Sequence, residues 1–469
     1  MRGKYDADSG PLYKAKPPEK NVNGSLRHIS AALTTDIRSS DGLGFPFLLF
    51  LIYLVMEYGR PADPMGIPLV TSILLFVWWL LSPNRTWTIQ FPYFLLLLCV
   101  IAVMGPFAVN SYSIWRGFRG MAVQLLCIAM PLIQFTSSLR RAFAFTSAFL
   151  AVLVYAAIYG ITHGGVGPGG PIGDENDLAL VLSMALPFAF VGAISRTSIW
   201  QRLISLACVV LMLFATMLTF SRGGFLALAA VLIYCFSLLL RKKTLIGFLM
   251  VCILGLAGMI FAPPEYWAEI ATIQQDASDT EEGTGALRRE FWTIARSMFY
   301  HNPIFGVGLN NFTWNVTMYQ TSEQLERAGR SYAGAAAHSL YFTVLAELGV
   351  SGFLLFSLIL NQAYKDTSVV LRKASVQQDR TQTPAHVQAD LRSQKHFQRL
   401  SLAASYAHAI RASLLGYLIG GAFLSIFPYP HIWLIVALAA GLRKATEVEC
   451  IRHQGSSPAS PIASAVASP

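Results

Sequence analysis

Long apolar runs separated by short polar segments dominate the chain between residues 45 and 442. Many of these runs reach or approach the ~18 residues that cross a bilayer as an α-helix. Apolar and polar positions do not alternate within them, which argues against a membrane β-barrel. The pattern predicts about twelve membrane spans, at residues 45–58, 65–82, 90–109, 120–136, 142–161, 177–195, 203–220, 224–240, 245–262, 339–361, 406–427 and 431–442.

Composition favours an all-α polytopic membrane protein. Of the 469 residues, 54% are hydrophobic and only 13% are charged, whereas a soluble protein carries about 25% charged residues. The six cysteines have neither metal-ligand nor disulfide spacing and are interpreted as small buried hydrophobes. We expect no cleaved signal peptide, and no motif for a metal or a cofactor is present.

The positions of Lys and Arg predict the orientation, because basic residues accumulate in cytoplasmic loops. If the N-terminus is cytoplasmic, that side receives Arg140, Arg141 and the segment 241–243, whereas the short loops on the other side contain few basic residues. Both termini are therefore predicted to be cytoplasmic. These loops also account for the net charge of +10, which does not indicate nucleic-acid binding.

The same pattern divides the chain into regions. They are a cytoplasmic tail expected to be disordered (1–43), nine spans (44–262), a large periplasmic loop (263–338), three spans interrupted by a basic cytoplasmic loop (339–442, with the loop at 362–401), and a low-complexity cytoplasmic tail (443–469).

The large outer loop carries three arginines on a predicted helix. The stretch "GALRREFWTIARSMFYHNP" is typical of an amphipathic helix that ends before its proline. Arg288, Arg289 and Arg296 lie on a solvated face or form a cationic patch that faces an anionic headgroup or a diphosphate. The following "NPIFGVGLNNF" predicts a turn in which Gly306 and Gly308 let the backbone approach another segment closely.

Arg222 lies in "TFSRGGFLAL", at the outer end of two spans joined by almost no turn. One interpretation is an arginine whose side chain reaches up to the membrane interface. The other is a phosphate site, because Gly223 and Gly224 open a helix whose first amides favour an anion beside the guanidinium.

His338 begins the span "SLYFTVLAELGVSGFLLF". It is a polar helix cap or a base, since a neutral imidazole accepts a proton from a sugar hydroxyl. Tyr341 follows three residues later on the same face. Glu347 lies within the span, where ionisable residues are functional candidates, although a structural hydrogen bond is an equally open interpretation. In "HGGVGPGGPIGDENDLAL", Asn176 either belongs to a well-capped helix start or orients sugar hydroxyls.

Taken in order, four segments resemble the O-antigen ligase and polymerase superfamily of bacterial envelope enzymes. They are "GDENDLALVLSMALP", "TFSRGGFLAL", "LRREFWTIARSMFYHNPIFGVGLNNF" and "AHSLYFTVLAELGVSG". Together they cover roughly residues 165–355. The family commonly has His-Asn where this chain has His338-Ser339.

The resemblance implies an inverting glycosyltransferase of the C-type membrane class, in the bacterial inner membrane, that needs neither a nucleotide sugar nor a metal. It would move a glycan from undecaprenyl or another polyprenyl diphosphate to lipid A–core or another glycan acceptor at the periplasmic face, as in lipopolysaccharide biosynthesis. The catalytic residues implied are His338, Arg222 and Arg288, with the choice between Arg288 and Arg289 open. The substrate-binding candidates are Arg289, Arg296, Asn176, Tyr341 and Glu347.

Three acceptors remain open within the superfamily. A ligase uses lipid A–core, a polymerase of O-antigen or exopolysaccharide uses another lipid-linked repeat, and a protein O-oligosaccharyltransferase uses Ser or Thr. Outside it, a multi-pass transporter is the alternative, which predicts an internal repeat with broken helices and charges near the membrane midplane. The sequence shows no clear repeat.

Overall fold

Helices of very different lengths follow one another along the chain. The computed structural model describes residues 42–61, 66–195, 198–241, 284–381 and 391–455, and within these ranges all regular secondary structure is helical. The helices are α1 Gly44–Tyr58, α2 Ile67–Leu81, α3 Gln90–Val103, α4 Ser111–Phe135, α5 Leu139–Thr162, α6 Glu175–Ser195, α7 Ile199–Leu218, α8 Arg222–Arg241, α9 Thr284–His301, α10 Phe312–Tyr319, α11 Ser322–Ala328, α12 Leu340–Thr381, α13 Leu391–Gly420 and α14 Pro430–Gly455.

Six of these helices are long and apolar enough to cross a membrane, and α1, α2 and α3 are shorter apolar helices. The chain is thus an all-helical, multi-pass membrane protein, as the sequence predicts. The number of spans and the orientation stay predictions. The predicted span 245–262 and the beginning of the large loop, up to residue 283, lie outside the described residues.

Helix α6 lies at the centre of the bundle, packed against α5, α7, α8 and α13. Its most apolar 18-residue window is 83% buried. Because lipid tails are as apolar as leucine side chains, membrane helices associate through close packing of small residues. Gly224 provides such a contact, since a Cβ at this position would lie only 2.4 Å from the Cβ of Ala179 in α6. The start of α8 is thereby held against the start of α6.

Helix α12 is interrupted at Gly349, whose backbone has φ 62° and ψ −163°. The interruption leaves the carbonyls of Ala346 and Glu347 to accept hydrogen bonds from the amides of Val307 and Gly308, each at 2.8 Å. A Cβ at Gly349 would lie 2.5 Å from the Ile304 backbone. The break therefore joins the membrane helix to the loop that follows α9.

Helical structure extends into the segment 362–401, which the sequence predicts to be a basic loop. α12 continues to Thr381, and α13 already begins at Leu391. Val370 and Ala374, four residues apart, are buried on one face, as is Ala403 on α13. A few apolar residues are enough to hold α12 and α13 together, because the two helices pack on each other. Most residues of the segment are polar, so its sequence does not show the apolar pattern of a helix.

The described part of the large outer loop folds into α9, α10 and α11. The predicted amphipathic helix is confirmed as α9, which ends at His301, two residues before the proline. The three helices enclose a small apolar core of their own, with Phe291, Met298, Phe312 and Ala346 among its buried members. Ala346 belongs to α12, so this core rests directly on the first turns of that helix.

Candidate active site

The turn between α7 and α8 is held by the side chain of Ser221. Its hydroxyl accepts a hydrogen bond from the amide of Gly224 at 3.0 Å and donates to Oδ1 of Asn176 at 2.6 Å. Ser221 is therefore the N-cap of α8, and it links this helix start to the start of α6. Arg222, half-buried as the first residue of α8, lies at this junction.

The start of α6 brings an acidic residue to the same end. Asp174 caps the helix, since its Oδ1 accepts a hydrogen bond from the amide of Asn176 at 2.7 Å. The glycine-rich segment before it passes close to the end of α7, where a Cβ at Gly165 would lie 2.3 Å from the carbonyl oxygen of Leu218. In the structure, the side chain of Asn176 thus holds the turn, while Asp174 remains exposed.

His338 lies just before α12 in a left-handed conformation, with φ 47°. The indole of Trp292 donates a hydrogen bond to the carbonyl of the preceding Ala337 at 3.1 Å, and the ring of Phe291 lies 6.4 Å from the imidazole, centroid to centroid. Positive φ is rare for residues with a side chain, so these contacts from α9 fix the direction of the imidazole.

Two charged groups, Arg288 and Asp174, act on the pKa of His338. Burial of part of the ring lowers its pKa, the positive charge of Arg288 lowers the pKa further, and the negative charge of Asp174 raises it. The residue still has an exposed surface. The imidazole is consequently neutral near pH 7, the form that accepts a proton.

The arginines of α9 occupy different environments. Arg288 is half-buried and acts on His338. Arg289 and Arg296 are exposed, and Arg296 donates a hydrogen bond to the Thr293 hydroxyl of the same helix at 3.2 Å. The structure brings Arg288 to the histidine, which distinguishes it from its neighbour Arg289.

The polar groups of Tyr341 and Glu347 contact protein groups. The Tyr341 hydroxyl donates to the carbonyl of Leu418 at the end of α13, at 2.6 Å. The carboxylate of Glu347 accepts hydrogen bonds from the amides of Asn310 at 2.9 Å and Phe312 at 3.0 Å. Both contacts hold the surroundings of His338 in place. A substrate-binding role for either residue stays a prediction.

The close approach predicted for the glycine turn is confirmed. Gly306 and Gly308 have φ of 69° and 99°. A Cβ at Gly306 would lie 2.3 Å from the backbone of Glu347, and one at Gly308 would lie 2.3 Å from the side chain of Ile114 in α4. The turn is therefore wedged between α12 and α4.

Sequence reasoning missed one polar pair at this end. The hydroxyl of Tyr429, just before α14, donates a hydrogen bond to Oδ2 of Asp177 at 3.0 Å. Asp177 is buried one residue after Asn176, and the charge of Asp174 acts on both Tyr429 and His338. The acidic start of α6 was visible in the sequence, but nothing there indicated its partner, which is separated by 252 positions.

The described residues contain no group of three or more His, Cys, Asp or Glu side chains that could hold a metal ion.

Residues 207–357 match a family model described as O-antigen ligase. We call this matched range the O-antigen ligase domain, after the model that it matches. The match confirms the resemblance to the O-antigen ligase and polymerase superfamily, and it supports a membrane enzyme of that type, for which the family implies lipid-linked glycan substrates. No match to a curated protein was found.

The O-antigen ligase domain includes most of the candidate site. Arg222, Arg288, His338 and Glu347 lie within the matched range, as does the break at Gly349. The start of α6 lies outside it. The hydrogen bond between Asn176 and Ser221 therefore joins the domain to the helices that precede it.

Proposed function

We propose that this protein transfers a glycan from a polyprenyl diphosphate to a sugar hydroxyl of an acceptor, at the periplasmic face of the inner membrane. The anomeric carbon is attacked by the acceptor oxygen, the bond to the diphosphate breaks, and the configuration inverts. The acceptor of a ligase is lipid A–core or a similar glycan.

The proposed roles follow from charge and proton affinity. Arg222 and Arg288 bind the diphosphate and stabilise the negative charge that grows on the leaving group. His338 accepts the proton of the attacking hydroxyl. Arg289 and Arg296 extend the cationic surface of α9 toward the donor. The outer loop excludes water, which would otherwise hydrolyse the donor.

One observation carries this proposal, namely the arrangement around His338. An imidazole kept neutral by burial and by a neighbouring guanidinium has the protonation state that a general base requires. The guanidinium that lowers its pKa is of the kind that binds phosphate oxygens. Both groups, His338 and Arg288, lie in the O-antigen ligase domain, and that family implies lipid-linked glycans as substrates.

The direct test is glycan transfer by purified protein from a defined polyprenyl-diphosphate donor to candidate acceptors. His338→Ala should reduce the transfer rate by about 10²–10⁴-fold, the range lost with a general base. His301→Ala is the matched control, because His301 is an exposed histidine of α9 whose imidazole contacts the Ser297 carbonyl of its own helix at 2.8 Å and the ring of Tyr319. Wild-type rates in His338→Ala would show that the assigned base is wrong.

A polymerase of the same superfamily is the alternative, because the family match does not choose between acceptors. Envelope polysaccharide from a deletion strain separates the two on a gel. Long chains that stay on the lipid carrier indicate a ligase, whereas single repeats indicate a polymerase. Transfer to neither acceptor by folded protein, combined with donor movement across vesicles, would instead support a transporter.

A further inference from the structure

A cavity of about 550 Å³ lies at the other end of the bundle, between α6, α8, α12 and α13. The candidate active site is at the first residue of α8, whereas Leu238, near the end of the same helix, lines the cavity. At a rise of 1.5 Å per residue, Arg222 and Leu238 are separated by about 24 Å along the helix. The cavity is therefore distinct from the site around His338.

A second cavity of about 320 Å³ adjoins the first and shares Phe397 and Ser401 with it. The wall of the larger cavity is apolar where the helices face each other, with Val191, Leu238 and Leu371 contributing side chains. Such a surface suits an acyl chain, since apolar side chains are as compatible with hydrocarbon as lipid itself.

The rims of the two cavities are basic. Arg372 lines the larger cavity, and Lys395 and Arg399 line the smaller one. Arg399 is paired with Glu449 at 3.2 Å. Arg372 and Lys395 are exposed, and neither forms a salt bridge with any residue in the described ranges. Two exposed cationic groups thus line adjoining cavities, the larger of which has mainly apolar side chains in its wall.

Serine hydroxyls also line the two cavities. Ser195 at the end of α6 donates a hydrogen bond to the Ser405 hydroxyl of α13 at 3.0 Å, and both serines line a cavity. Ser401 is exposed and lines both cavities. The linings therefore offer cationic, hydroxyl and apolar groups, the three kinds that match the phosphate, the ester and the chain of a phospholipid.

We propose that the two adjoining cavities bind one anionic phospholipid, with its phosphate at Arg372 and Lys395 and an acyl chain along Leu238 and Leu371. Basic pockets between helices on the cytoplasmic side of membrane proteins bind anionic headgroups, and the distribution of Lys and Arg predicts that this end is cytoplasmic. The inference does not depend on the proposed glycosyl transfer.

The test uses the purified full chain in neutral detergent, with phosphatidylglycerol and phosphatidylcholine of identical acyl chains. Native mass spectrometry counts the lipid retained per chain. We expect the wild-type protein to retain phosphatidylglycerol preferentially. The double variant Arg372→Gln, Lys395→Gln should lose that preference by at least tenfold, because each basic side chain near an anionic headgroup contributes about fivefold. Ser401→Trp should also reduce lipid retention, because Ser401 lines both cavities and the larger side chain would occupy space that the lipid needs.

Two exposed positions of α12 that do not line either cavity provide matched controls. Lys365→Gln removes one positive charge and Asn361→Trp introduces the same tryptophan side chain, and both should retain lipid as the wild-type protein does. Size-exclusion elution checks folding. If Ser401→Trp aggregates, the double charge variant, which alters only exposed side chains, decides the result.

Equal retention of the two lipids by wild-type protein would overturn the proposal, as would unchanged retention in the double charge variant. Displacement of the lipid by millimolar inorganic phosphate would also overturn it, because it would show that the site recognises phosphate without a chain.

Discussion

Two buried carboxylates on α12 show how differently the two ends of the molecule use charge. Glu347 accepts hydrogen bonds from the backbone amides of Asn310, in the loop before α10, and of Phe312, the first residue of α10. Asp366 accepts instead from side chains, namely the Arg443 guanidinium of α14 at 2.9 Å, the Gln90 carboxamide of α3 and the Gln362 carboxamide of its own helix. The first carboxylate holds a loop onto a membrane helix, and the second holds α3, α12 and α14 together.

The comparison teaches that burial of a charge within a span does not by itself indicate chemistry. Both carboxylates are buried, at 5% and 1% exposure, and hydrogen-bond donors surround both. His338 differs, since contacts from α9 hold its backbone and neighbours while the residue keeps an exposed surface. The groups proposed to react are thus distinct from the groups that position them, and variants should separate the two classes.

Apart from His338→Ala, the largest effect is expected at Arg222. Arg222→Ala should reduce transfer at least ~100-fold, because loss of one charge contact to a developing anion costs about 2.7–4 kcal/mol. The thermal unfolding temperature should change little, since Ser221 still caps α8. The transfer assay with the defined donor measures this effect. Arg330→Ala, at an exposed position of the outer loop, is the control, and equal rates in the two variants would remove Arg222 from the mechanism.

Glu347→Gln tests the first member of the comparison. A carboxamide replaces one accepting oxygen by an NH₂ group, so one of the amides of Asn310 and Phe312 loses its partner, at a cost of about 1–3 kcal/mol. We expect lower thermal stability, faster hydrogen exchange across residues 303–312 and a parallel loss of transfer. Glu323→Gln on exposed α11 should change none of these. Lost transfer with wild-type exchange rates would favour a direct role for Glu347.

Asp366→Asn tests the second member. The amide keeps one accepting oxygen but leaves the partly exposed Arg443 without a charged partner there, so we expect a loss of about 1–3 kcal/mol in unfolding free energy. Transfer by the folded fraction should be unchanged, because Asp366 lies far from His338 along α12. Glu447→Gln removes the other partner of Arg443, which lies one turn away on the same helix, and should cost less than about 1 kcal/mol.

The sequence predicts the parts of the fold that depend on local patterns. Apolar runs predict most helices, and the proline after His301 predicts the end of α9. The close approach at Gly306 is predictable because the residue type alone indicates it. A glycine has no side chain, so another segment can pass close to its backbone. The continuation of α12 to Thr381 escapes prediction, since it depends on a few apolar contacts with α13.

The candidate site is predictable only as a set of residues that share one end of the molecule. That Arg288 rather than Arg289 acts on His338 depends on the rotation of α9 about its axis, which the tertiary packing fixes. The break at Gly349 depends on pairing with the loop after α9, and the contact of Asp177 with Tyr429 joins distant segments. Such information becomes available only when the chain is folded.

The smallest effect is expected in the pH dependence of transfer. The proposed base is active when neutral, so kcat/KM should fall as pH drops through the pKa of His338. Because burial and Arg288 lower that pKa, the acidic limb of the wild-type profile should lie below the ordinary histidine value of about 6.5.

Arg288→Gln should move the limb to higher pH, and Asp174→Asn, which removes the opposing charge, should move it to lower pH. Arg289→Gln is the matched control and should leave the limb in place, since the causes of the shift are burial, Arg288 and Asp174. Movement in the same direction for Arg288→Gln and Asp174→Asn would show that His338 is not the group that titrates.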